Sequence, residues 1–142
     1  LTANTGNTVQ FGPLTLNGGT LNLTNGNGYN LNFQGGVSVA ASTTLNSNLT
    51  ATTLNPPTIT GTAATAVTLT LGGTSDFTVT APITQGTGAL ALTKAGTNTI
   101  TLSGASTYTG ATTVTAGTLR VGSGSFTGAN TTLAVTGGVF DL

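Results

Sequence analysis

The feature that most limits what this chain can fold into is an apolar alternation that keeps restarting and never grows long. Leu14/Leu16, Leu21/Leu23, Leu31/Phe33, Val37/Val39, Val67/Leu69/Leu71, Phe77/Val79, Leu90/Leu92, Ile100/Leu102 and Leu119/Val121 set apolar side chains two residues apart. Alternate residues share one face of a strand. Strands this short cannot each hold a core, so their apolar faces must be pooled. Between them stand Asn17-Gly18-Gly19, Asn25-Gly26-Asn27-Gly28, Gly35-Gly36, Gly72-Gly73 and Gly137-Gly138, residue types that tolerate the positive φ of tight corners.

A persistent spacing of about ten residues, with two or three strands and their turns making a coil of about 20, predicts a solenoid. The expectation is a single all-β domain over residues 1–142, a right-handed parallel β-solenoid (β-helix). It would have roughly six to seven coils, with strands about 4.8 Å apart in a rod on the order of 30 Å long. The rival architecture is an antiparallel β-sandwich, because Asn25 to Gly28 offers hairpin turns. Asn55-Pro56-Pro57 interrupts the rhythm, since proline cannot donate to a central ladder. It is expected as a protruding turn, with a domain boundary as the alternative.

Composition narrows the function. Only Asp76, Lys94, Arg120 and Asp141 carry side-chain charge, net charge is zero, and about a quarter of the chain is threonine. That balance favours strands and turns over helices. A neutral chain lacks the basic footprint of phosphate-backbone binding, so nucleic acid is not an expected partner. No apolar run approaches the roughly 20 residues of a spanning helix, so this segment is not expected to insert into a membrane. The absence of cysteine excludes disulfides and is compatible with an oxidising exterior. A start at Leu1 without methionine is expected of a processed or excised product.

The segment from Gly88 to Val121 carries a more specific pattern. Leu92-Thr93-Lys94-Ala95-Gly96, Thr101-Leu102-Ser103-Gly104, Thr107-Tyr108-Thr109-Gly110 and Ala116-Gly117-Thr118-Leu119-Arg120-Val121 follow in order. This stretch resembles the autotransporter-associated β-strand repeat, found in the passenger regions of bacterial autotransporters and other large secreted surface proteins. The resemblance is clearest over residues 77–142; before that the chain shares only composition and rhythm with the family. It implies a right-handed parallel β-helix and a bacterial extracellular or cell-surface location; from the residues themselves no cofactor is expected.

Few residues are suited to chemistry. Acid-base work needs a positioned titratable pair, and Asp76 and Asp141 lie far apart in the sequence with no His or Cys to help. No catalytic residue and no metal ligand set is therefore assigned, and the chain reads as non-enzymatic. The Gly-Gly pairs read as turns and not as calcium loops, which require ordered carboxylates. Thr58/Thr60, Thr68/Thr70 and Thr78/Thr80 recur in ten-residue steps, as on the ice-binding face of some β-solenoids. Threonine also simply suits exposed strand faces. Lys94 and Arg120 are expected on a solvated face. Phe11, Tyr29, Phe33, Phe77, Phe126 and Phe140 are expected inside. Tyr108, in the Thr-Tyr-Thr-Gly turn motif, is the candidate for leaning outward as a ligand contact, with packing as the alternative that its recurrence in the resembled family implies equally well. The Asn-x-Thr triplets at Asn22, Asn48 and Asn130 are expected by chance in so Asn- and Thr-rich a chain.

A solenoid leaves strand edges open at its two ends unless they are capped. Neither end of this sequence reads as a cap, which makes Leu1, Val139, Phe140 and Leu142 candidate self-association residues. The leading expectation is a structural module that associates end to end, with copies of itself or with adjoining coils, into a filament. The alternatives are an adhesin segment binding host protein or glycan, and an ice-binding solenoid.

Overall fold

The computed structural model describes residues 8–27, 30–50, 52–126 and 132–142. Leu1, Gly28, Tyr29 and Asn130 lie outside the described residues. The strands are β1 (Thr8–Phe11), β2 (Leu14–Asn27), β3 (Asn30–Phe33), β4 (Val37–Thr50), β5 (Thr52–Leu54), β6 (Ile59–Gly61), β7 (Val67–Gly73) and β8 (Phe77–Val79). They continue as β9 (Ile83–Gln85), β10 (Leu90–Lys94), β11 (Thr99–Leu102), β12 (Thr112–Val114), β13 (Thr118–Val121), β14 (Leu133–Val135) and β15 (Val139–Asp141). Among the described residues no helix is long and apolar enough to cross a membrane.

Among the described residues every strand pair is parallel, which removes the antiparallel sandwich. The first face is the sheet β1-β3-β5-β8-β11-β13-β15. The other sheet divides into two faces, because β2 and β4 are long enough to bend around a corner. Their first halves form the second face with β6 and β9, in the register Leu14, Val37, Ile59, Ile83. Their second halves form the third face with β7, β10, β12 and β14, in the register Thr20, Thr44, Thr70, Thr93, Thr113, Ala134. Asn25 to Asn27, where a hairpin turn was possible, lie within β2, which pairs parallel with β4 to Asn27 after a break in register between Thr24 and Asn27.

The molecule is thus a parallel β-solenoid of about five turns, fewer than the six to seven expected. Coils are longer than 20 residues over much of the chain. Partners one coil apart are separated by 24 residues at Asn22/Asn46, 26 at Asn48/Thr74 and 21 at Arg120/Asp141. The extra residues lengthen the faces and corners instead of adding turns.

Alternation and stacking together build the core. Val9, Leu31, Leu54, Val79, Leu102 and Val121 form one in-register column behind the first face. Phe77, Ile100, Leu119 and Phe140 form a second. Within one coil a strand buries only two or three side chains, and burial is completed by the coils above and below. The ladders continue past Asn55-Pro56-Pro57. Pro56 is buried there and Pro57 exposed, so this segment is a corner packed into the coil and not a protrusion. Its missing donors fall between β5 and β6, where no rung needs them.

Candidate functional site

Lys94 is buried, not solvated as expected. The cause is parity: Leu90, Leu92 and Lys94 alternate along β10, so the lysine takes the inward place. In register it stands between Leu71 of the coil before and Val114 of the coil after, in an otherwise apolar column. A buried ammonium is tolerated only if its donors are satisfied. Lys94 Nζ donates to Ala95 O at 2.6 Å, Gly96 O at 3.0 Å, Asn98 Oδ1 at 3.0 Å and Ala116 O at 3.2 Å.

Glycine makes this corner. Gly96 and Gly117 have φ of 72° and 64°, a region other residues enter only with strain. A Cβ on Gly117 would stand 2.7 Å from Lys94 Nζ. Asn98, also buried, extends the network backward, with Nδ2 donating to Ser75 O at 2.8 Å and Gly72 O at 3.4 Å. Lys94 and Asn98 together therefore tie three successive corners. Burial lowers the Lys94 pKa from 10.5 to about 8, and the Asp76 carboxylate opposes that shift. Asp76 Oδ1 accepts from the Thr99 backbone N–H at 2.6 Å, next to Asn98.

Tyr108 does not lean outward. Its side chain is buried, its ring meets Phe126 edge-on with centroids 5.8 Å apart, and Phe126 meets Phe140 at 6.3 Å. The phenol and the Thr112 hydroxyl are hydrogen-bonded at 2.8 Å. Burial raises the phenol pKa to about 12, with the Thr112 bond working against it. Tyr108 presents no ring face to a ligand. It fills the coil at a place where the second face is reduced to the Ser106–Phe126 bridge.

The Thr-x-Thr pairs do not form one flat array. Thr60 lies on the second face, Thr70 on the third and Thr78 on the first, because ten residues is less than half a coil. What the solenoid makes are stacked rows on separate faces: Thr20, Thr44, Thr70, Thr93 and Thr113 along the third face, Thr53, Thr78 and Thr101 along the first, and Thr60 with Thr84 on the second. On the first face a shallow groove of about 320 Å³ is lined by Thr53, Asp76, Thr78, Thr99, Thr101 and Arg120, among others. Arg120 is exposed, as expected, and its Nε donates to Asp141 Oδ2 at 2.8 Å. Asp76 precedes β8 and Asp141 ends β15, with β11 and β13 between them, so the two carboxylates are not brought together.

At the C-terminal coil the interior columns come to the surface. Leu133 and Val135 are 49% exposed, Val139 55% and Leu142 92%, while Phe140 is half-buried. Phe126, Leu133 and Phe140 with Thr112 and Thr132 line an apolar hollow of about 200 Å³.

Fold and corner define a class, a parallel β-solenoid with a polar latch inside one glycine corner. Residues 92–121, which contain Lys94, Asn98, Tyr108 and Gly117, match the family described as passenger-associated-transport-repeat. This is the autotransporter passenger repeat that the sequence motifs resemble. No curated protein and no solved structure matches the chain.

Proposed function

We propose that this chain is a non-enzymatic structural β-solenoid stretch of a bacterial surface or extracellular protein whose coil faces join end to end, with adjoining coils of a longer chain or with copies of itself in a filament. The observation that carries this is the C-terminal coil face. The column that buries Val114 continues to Val135, and the one that buries Leu119 continues to Phe140. A further parallel coil, whether from an adjoining stretch of chain or a second copy, would cover both columns and satisfy the open strand edges. Net charge is zero, so little repulsion opposes stacking. The passenger-type repeat at residues 92–121 belongs to secreted and surface proteins, which supports an extracellular setting. The test is sedimentation and negative-stain imaging of the purified chain across rising concentration. Rods that lengthen with concentration, and are lost in Val139→Lys, are expected; uniform monomers at high concentration would sink the filament.

The groove on the first face favours a second reading, a passenger segment that binds host glycan or protein along its side. Threonine hydroxyls, Asp76 and Arg120 offer donors and acceptors there, and Tyr108 offers none. A glycan array in which binding falls with Arg120→Ala is the expected support; signals unchanged by that substitution would count against it. Ice binding has weaker support, because the threonine rows lie on different faces of the coil and do not form one flat array. Absence of thermal hysteresis would remove it.

A further inference from the structure

We infer that Lys94 and Asn98 form a covalent side-chain amide, an intramolecular isopeptide bond that closes the corner between β10 and β11. Lys94 Nζ is in contact with four oxygen atoms, three of them backbone carbonyls and the fourth Asn98 Oδ1 at 3.0 Å. Only the Asn98 carboxamide can be displaced without cutting the chain. Both side chains are buried, so water is a poor competitor and the geometry is held in place. A neutral amine keeps two N–H donors and gains a lone pair. Those donors can stay on the surrounding carbonyls while the lone pair turns to the Asn98 carbonyl carbon, whose oxygen already lies 3.0 Å from Nζ.

The reaction balances without a co-reactant. The ammonium loses one proton to solvent. The neutral amine then adds to Asn98 Cγ and the second proton passes to the departing nitrogen. The C–Nδ2 bond breaks, an Nζ–Cγ amide forms, and ammonia leaves. Nothing is oxidised or reduced. Asn98 Nδ2 donates to Ser75 O and Gly72 O, which fixes the carboxamide with its Oδ1 toward the amine. Burial lowers the Lys94 pKa to about 8, so the nucleophilic form is accessible in mildly alkaline solution. Asp76 is the charged group that acts on the amine, and it opposes that lowering.

Intact-mass spectrometry of the folded chain, held at pH 9 and at pH 6, tests this. The expected result is loss of the mass of one ammonia at pH 9, mapped by fragmentation to a peptide joined through Lys94 and Asn98. Below pH 8 the loss should slow about tenfold per pH unit, as the neutral amine becomes scarcer. Lys94→Arg and Asn98→Ala should each keep the full mass. A succinimide at Asn17-Gly18 would lose the same mass but would map elsewhere and reopen in base. Retention of the full mass after prolonged incubation at pH 9, or mapping of the loss to any other site, overturns the proposal.

Discussion

Lys94 and Tyr108 are both buried titratable groups, and their effects on stability run in opposite directions. In the uncrosslinked chain the folded Lys94 pKa is about 8 against an ordinary 10.5. Between those values the unfolded chain holds more protons, so stability rises with pH. The folded Tyr108 pKa is about 12 against an ordinary 10.0. Across that interval the folded chain holds more protons, so stability falls. Urea unfolding from pH 7 to 12 should therefore show a maximum near pH 10. Lys94→Met should flatten the rising limb and Tyr108→Phe the falling one, the latter at a cost of about 1 kcal/mol for the lost hydroxyl bond. A stability that declines steadily from pH 8 would contradict this placement of Lys94. Its burial was legible in the sequence, in the parity of Leu90, Leu92 and Lys94; the usual exposure of lysine hid it. The polar partners were not legible. Asn98, Ala116 and Gly72 come together only once the coil offset is known.

Each strand is marginal alone, so the corners decide whether coils can approach. A Cβ on Gly110 would run into the backbone at Leu90, and one on Gly104 into the backbone at Ala81. Gly124 has a positive φ of 78° but nothing near its Cβ position. Gly110→Ala should therefore cost more than about 2 kcal/mol, because backbone must move. Gly124→Ala should cost about 1 kcal/mol of conformational strain. Thermal melts of the pair measure the difference, and equal losses would mean that these coils are not in close contact. At this scale the sequence was informative: the apolar pairs from Leu14/Leu16 to Leu119/Val121 all fall on strands. It misled where residue type outweighed context. Asn25 and Gly26 interrupt the register as an irregularity, and the strand that their turn chemistry argued against resumes at Asn27 opposite Thr50 of β4.

For the whole molecule, the parallel solenoid could be anticipated from rhythm and corners, but its cross-section could not. Ten-residue steps suggested one threonine face. Three faces per coil, with offsets that vary from coil to coil, put successive Thr-x-Thr pairs on different sides. The fold therefore makes a sharp statement about neighbours. In-register partners on one face, such as Thr44/Thr70 and Thr93/Thr113, are neighbours although a whole coil of sequence separates them, whereas Thr60 and Thr70 lie on different faces. The chain has no cysteine, so pairs can be introduced cleanly, and adjacent in-register strands fall within the Cα separation a disulfide spans. The most direct measurement is air oxidation of double-cysteine variants, followed by mass spectrometry of the folded chains. Thr44→Cys/Thr70→Cys, Thr70→Cys/Thr93→Cys and Thr93→Cys/Thr113→Cys should close disulfides readily within one chain, while Thr60→Cys/Thr70→Cys stays reduced. Ready closure of the Thr60/Thr70 pair, with the three stacked pairs left open, would contradict the solenoid.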